Sequence, residues 1–314
     1  MTSRAWNVAW YRFRGTLARR RGAYLSVILL IGLTGGLAMG SLAGARRTQS
    51  SYPTFLASTN PSTLSMAVYD NDTGAPAATI TAKIEHLADV ARVTTVNAGA
   101  AVPLNDKGAP RLSTVNLVVV AGSTDGWLTR EDRLAVLSGH LANPWRINQI
   151  EITTGAERIW GVRPGQTVPI GFYAPSQASQ PGFGTAKVKP RLLIEAHVVG
   201  VVAQSGEIVQ DDVDRAYGFV FISPALVKKA AAFNRSWSLP VEYEVQLRDG
   251  DAHLGRIETE LAALVPVGFT YEFHVTSHVL STVELALKPE SVALGAFGVI
   301  AALVCLLLSM QAIS

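Results

Sequence analysis

Two stretches of the chain, residues 22–45 (GAYLSVILLIGLTGGLAMGSLAGA) and residues 291–314 (SVALGAFGVIAALVCLLLSMQAIS), contain no charged side chain. About 20 apolar residues at roughly 1.5 Å rise per residue cross a hydrocarbon core of about 30 Å, so both stretches read as membrane-spanning helices. The 314-residue chain is 48% apolar before its 27 glycines are counted, which is high for a soluble protein. Lipid around the two ends, with residues 46–290 between them, accounts for the excess. Residues 43–45 have the small-residue look of a signal cleavage site, but the uncharged stretch is longer than the usual signal core of about 7 to 15 residues.

The distribution of charge sets the orientation. Arg4, Arg12, Arg14, Arg19, Arg20, Arg21, Arg46 and Arg47 all precede the first acidic residue, Asp70. Without these eight, 19 of the 27 basic residues stand against 24 acidic ones, so the middle region is mildly acidic. A nucleic-acid footprint is a basic patch on a folded domain, and nucleic acid is therefore excluded as a partner. Six of the arginines lie before the first span and two after it, and the positive-inside bias puts the N-terminus in the cytoplasm. The middle region is then expected to be extracytoplasmic, with the second span returning the chain to the cytoplasmic side.

Within the first span Gly32, Gly36, Gly40 and Gly44 recur every four residues and form one smooth ridge on a helix. Small residues at that spacing let a second helix approach closely, a main source of association in lipid. Ahead of the span, Trp6, Trp10, Phe13 and Leu17 fall on one helical face with arginines around the rest. That pattern predicts an amphipathic helix over residues 1–21 lying in the inner interface against membrane lipids.

Residues 46–274 read as an α+β domain. Residues 62–70 alternate as a strand, Ile80, Ile84, Leu87 and Val90 form a helical stripe, and residues 91–102 are rich in β-branched residues. Residues 241–250 repeat the strand, Leu254, Ile257, Leu261 and Leu264 repeat the stripe, and residues 268–277 alternate again. Two β-α-β halves, residues 62–120 and 238–274, are thus expected to pack as one small sheet with helices on one face. Residues 121–237 form an inserted, strand-rich subdomain, with an exposed Gly/Pro/Ser-rich loop over residues 173–187. The expected fold class is a membrane protein in which two transmembrane α-helices flank this extracytoplasmic domain.

Chemistry is sparse. Cys305 is the single cysteine, so no disulfide is available to a domain facing an oxidising side. His86, His140, His197, His253, His274 and His278 show no zinc-ligand spacing, and QDDVD at residues 210–214 lacks the glycine and distal glutamate of a calcium loop. No nucleophile elbow or phosphate loop occurs. No catalytic residue, metal ligand or cofactor site is expected, and any energy source must be a partner.

The order of parts resembles the permease subunits of ABC transporters of the FtsX-like and MacB-like class. Residues 134–170 (LAVLSGHLANPWRINQIEITTGAERIWGVRPGQTVPI) are similar to an outer-domain segment of that class, with Gly139, Glu151, Ala156, Gly161 and Gly165 in its places and His140 where an arginine is more usual. HVVGVVAQ at residues 197–204 is similar to the strand that follows. The resemblance implies a chain without enzymatic activity of its own. It implies a cytoplasmic ABC ATPase subunit as partner and a second permease subunit completing a homo- or heterodimer.

It also implies a stalk helix at residues 275–290 that couples ATP hydrolysis to outer-domain movement, for export or mechanotransmission. Val279, Val283 and Leu287 would form its apolar face, and Pro289 would bend its entry into the second span, residues 291–314. Because the class carries further spans, the chain is expected to be the N-terminal part of such a subunit. The alternative reading is a two-span sensor or adaptor whose outer domain binds a ligand.

Overall fold

The computed structural model describes Trp10 and residues 21–70, 78–205, 217–238 and 240–313. The expected interfacial helix over residues 1–21, with Trp6, Phe13 and Leu17, and the QDDVD segment at residues 210–214 lie outside the described residues. Trp10 is helical and exposed.

In chain order the elements begin with α1 (Arg21–Thr59), β1 (Leu64–Asp70), α2 (Ala78–Glu85), β2 (Val90–Ala98), β3 (Ala101–Pro103), β4 (Val118–Gly122), β5 (Ala135–Gly139) and β6 (Gln149–Thr153). There follow α3 (Thr154–Trp160), β7 (Thr167–Phe172), β8 (Leu192–Ala203), β9 (Gly218–Ile222), α4 (Pro224–Ala231), β10 (Pro240–Leu247), α5 (Leu254–Leu264), β11 (Phe269–Val275) and α6 (Thr276–Ile313). The chain divides into two compact units. One comprises residues 1–54 and 282–314, the other residues 55–281.

Within the second unit the strands make a single 11-stranded sheet in the order β11-β1-β10-β2-β4-β9-β6-β8-β7-β3, with β5 paired to β8. β1 is antiparallel to both β10 and β11, and β10 is antiparallel to β2. It follows that β1 runs parallel to β2 with β10 between them, and β10 runs parallel to β11 with β1 between them. Each β-α-β half is therefore split, and each half receives a strand of the other. Neither half can complete its ladder alone.

The period-2 pattern of β10, PVEYEVQL, explains which face is covered. Tyr243, Val245 and Leu247 are buried in a core with Leu64, Met66, Val93, Ile80, Ile84, Ile257 and Leu261, so α2 and α5 lie on that face. The alternate residues Glu242, Glu244 and Gln246 point to the opposite face. A second core, sharing no residue with the first, lies among β4, β6, β7, β8, β9, α3 and α4 and includes Ile150, Ile152, Phe172, Leu226 and Trp237. The helix α4 starts where Ser223 accepts a hydrogen bond from the Leu226 amide at 3.2 Å and Pro224 occupies the first turn.

The strands of residues 121–237 continue the first sheet. The join is slender, with β2 meeting β4 only through Asn97↔Gly122 and Ala98↔Ala121. A small apolar cluster that includes Val96, Ala121, Trp127 and Phe221 packs across it.

Ile257 is fully buried between α5 and the sheet, whereas Val267 is fully exposed in the turn before β11. Ile257→Ala should lower the unfolding free energy of the domain by about 2–5 kcal/mol, and Val267→Ala by less than about 0.5 kcal/mol. Denaturant titration of the full chain in detergent micelles measures both.

Candidate functional site

The first unit contains two helices long and apolar enough to cross a membrane. Along α1 the less exposed positions include Tyr24, Val27, Ile31, Thr34, Ala38, Ser41, Ala45, Thr48 and Tyr52, spaced alternately by three and four. That is a 3.5-residue period, the spacing of helices that wrap around each other with a left-handed twist. On α6 the less exposed positions Ser291, Gly295, Gly298, Ala301, Cys305 and Leu308 follow the same threes and fours. Ser309 turns its hydroxyl back onto its own helix, donating to Cys305 O at 2.8 Å.

Gly298 shows why the seam can close. A Cβ there would stand 3.2 Å from Ala38 O and 3.1 Å from the Leu42 side chain, so any larger residue would need its neighbours to give by a few tenths of an ångström. Gln49 Nε2 donates to Ser291 Oγ at 3.2 Å, and Cys305 Sγ lies 3.6 Å from Ile31 O and from the Cβ position of Gly35. Of the glycines singled out in the sequence, a Cβ at Gly44 would meet Leu294 at 3.8 Å, while one at Gly32, Gly36 or Gly40 would meet nothing within 4 Å among the described residues. Gly35 and Gly298 line the same seam on its 3.5-residue period.

Val279, Val283 and Leu287 are half-buried on α6, and Pro289 is exposed within the same uninterrupted helix. Proline is tolerated inside a helix when the lost hydrogen bond is accommodated, so this one does not end α6.

In the second unit, the end of α1 and the start of α6 are tied to one another by the pairing of β1 with β11, which sets Leu64 opposite Val275. Thr276 donates its amide to Thr63 O at 3.1 Å and its hydroxyl to Ser62 O at 2.6 Å. The loop at residues 130–133 closes over the same segment. Asp132 and Arg133 donate their amides to Asn60 O and Thr59 O at 3.0 and 2.7 Å, and Asn60 Nδ2 donates to Arg130 O at 3.0 Å. Asn60 and Asp132 both take left-handed backbone, φ 50° and 48°, a conformation that Asn and Asp tolerate better than other side-chain-bearing residues.

Carboxylates gather beneath this loop. Ser62 donates its amide to Asp132 Oδ1 at 3.0 Å, and its hydroxyl lies 2.8 Å from Glu244 Oε2 and 3.3 Å from Asp132 Oδ1. Asp132 and Glu244 are each 4% exposed. Burial raises the Asp132 carboxyl to about 6 against the opposing hydrogen bonds from Ser62, and burial raises Glu244 well above the carboxylate range, helped by Glu242 and Asp132. Fully buried Glu131 is paired with Arg92 at 2.5 Å, yet desolvation outweighs the arginine and its carboxyl is raised. Sequence reading missed Ser62, Asp132 and Glu244. The available signal was the E-x-E-x-Q alternation of β10, which puts three polar side chains on one face of a strand whose other face is core.

The segment singled out by resemblance spans β5 to β7. Gly139, φ 77°, sits where a Cβ would meet Val199 O at 2.2 Å, so β5 can lie against β8 only with glycine there. Gly161 and Gly165 take left-handed backbone between α3 and β7, and Ala156 is fully buried in α3. Glu151 accepts the Ala142 amide at 2.7 Å, Gln149 accepts that of Asn143 at 2.8 Å, and Asn143 accepts that of Trp145 at 2.9 Å. Trp145 is held 84% exposed by this turn, close in sequence to the exposed Leu141. Among the described residues no group of three or more His, Cys, Asp or Glu side chains is placed to hold a metal ion.

No protein-family model and no curated protein matches the chain. Among solved structures it is similar to the extracellular domain of a noncanonic ABC-type transporter, YknZ, from Gram-positive bacteria. The identity is 10% and the TM-score 0.37, over 66% of this chain and 99% of that one. It is also similar to a domain of a permease protein from Porphyromonas gingivalis, at 12% identity and a TM-score of 0.36, over 68% of this chain and 90% of that one.

The seam geometry gives a direct check. Gly35→Cys places a thiol beside native Cys305 and should form an intramolecular disulfide under mild oxidation in micelles. Gly36→Cys, which faces open space, should not. Non-reducing electrophoresis after cleavage between the two helices reads the difference, and equal cross-linking of both variants would contradict the seam.

Proposed function

We propose that the chain is a membrane subunit of the ABC permease class, working with a separate ATPase to move an extracytoplasmic domain. The observation that carries this reading is the hydrogen-bonded junction of Ser62, Thr63 and Thr276. It joins the segment just after one apolar helix to the first turn of the other across adjacent strands, so a displacement of either helix end is delivered to the sheet.

In this reading the N-terminus and its arginines are cytoplasmic, and residues 55–281 lie outside the membrane. The face of α6 bearing Val279, Val283 and Leu287 acts as the stalk. The Gly32, Gly36 and Gly40 face, where an added Cβ would meet nothing within 4 Å among the described residues, packs against helices of a second permease subunit. Energy comes from a cytoplasmic ATPase, and membrane lipids cover the remaining apolar surface. The FtsX-like and MacB-like class is the family this reading favours, with export or mechanotransmission as its output.

Purification of the full chain from its native membrane in mild detergent tests the proposal. A stoichiometric ATP-hydrolysing subunit should accompany it. Thr276→Val removes one hydrogen bond of the junction, of about 1 kcal/mol, and should lower substrate-coupled ATPase turnover several-fold without releasing that subunit. Purification free of any nucleotide-hydrolysing partner would instead favour the two-span sensor.

A further inference from the structure

A hydroxyl group has one hydrogen, and the Ser62 hydroxyl touches two buried carboxyl groups. It lies 2.8 Å from Glu244 Oε2 and 3.3 Å from Asp132 Oδ1. If both carboxyls were ionised, Ser62 could donate to only one of them, and its oxygen lone pairs would face the other. Every contact is used when one proton resides on Glu244. Glu244 O–H then donates to Ser62 Oγ, while Ser62 O–H and Ser62 N–H both donate to Asp132 Oδ1.

We infer that Asp132, Ser62 and Glu244 form a buried proton-binding site that latches residues 58–63 and the loop at 130–133 onto the sheet, so that proton loss loosens the junction. The surrounding charges reinforce this. Glu131 on the same loop and Glu242 on β10 both act to keep the pair protonated, and Asp125 acts likewise on Glu131. Glu272 and His274 on β11 act on Glu242 in opposite senses. Arg92 on β2 is already paired with Glu131. Asp132 Oδ2 has no hydrogen-bond partner among the described residues, so no donor there offsets a second buried negative charge.

The sign follows from linkage. Both carboxyls titrate higher in the folded chain than in the unfolded one, so the folded chain binds more protons. The stabilisation from the pair is full below the ordinary carboxylate range near about pH 4. As pH rises it is lost in two steps: Asp132 ionises through about 6, giving the singly protonated arrangement in which every contact is kept, and the latch opens at the higher step, when Glu244 loses its proton. Because the two groups interact, the observed steps belong to the pair. The latch does not depend on the permease reading, since it concerns how firmly two helix ends are held.

Hydrogen exchange of the full chain in lipid nanodiscs, scanned from about pH 5 to 9 and corrected for intrinsic rates, tests it. Protection at residues 58–64 and 130–134 should fall at least tenfold across the scan, while that of β6 and β8 stays constant. The double variant Asp132→Asn with Glu244→Gln has no proton to lose and should show no such fall. A flat wild-type profile, or the same fall in the double variant, would overturn the latch. Infrared spectroscopy of the wild type at about pH 7 supplies a second reading if the double variant does not fold. A protonated-carboxyl band that shifts in Ser62→Ala is expected, and the absence of any such band overturns the proposal.

Discussion

The pairing of β1 with β11 is the contact on which the arrangement of the domain depends. β1 follows the first apolar helix and β11 precedes the last, and their antiparallel register from Leu64↔Val275 to Asp70↔Phe269 brings the end of α1 beside the start of α6. Because β1 also pairs with β10, each β-α-β half is completed by the other. A local duplication in sequence thereby becomes a closed unit in space, with α2 and α5 covering one face. What remains polar is pushed to the other face and to the junction.

Much of this was legible in the sequence, and the reason is periodicity. The period of two in YEVQL and the helical stripe of Leu254, Ile257, Leu261 and Leu264 are strong because one face of each element is buried. The two uncharged stretches were equally plain, since a spanning helix must be apolar on all sides. The helices themselves extend further, to Thr59 and from Thr276, because polar residues near a span can remain helical without being apolar.

Long-range features were not legible. The continuation of the sheet from β2 to β4 rests on two residue pairs with no compositional mark. The loop at residues 130–133 reads as an ordinary charged turn, and nothing in its sequence says that Asp132 is folded back beneath Asn60 to share Ser62 with Glu244, on a strand more than a hundred residues later. The glycines at every fourth residue trace a stripe that winds slowly round the helix, and it meets the 3.5-residue seam at Gly44, while Gly35 meets it one residue from Gly36.

The slender join between the two parts of the sheet has a consequence for cooperativity. Each part has its own core, centred on Ile257 and Leu261 in one and on Ile152 and Phe172 in the other, and these two cores share no buried side chain. Little apolar surface bridges them, only two ladder pairs and the small cluster around Trp127 and Phe221, beside the polar contacts of the loop at residues 130–133 with Ser62 and Arg92. Apolar contact is what makes a region open as a whole, so the two cores can open as separate foldons tied by that loop. The foldon that carries the helix ends can breathe on its own timescale while its neighbour remains closed.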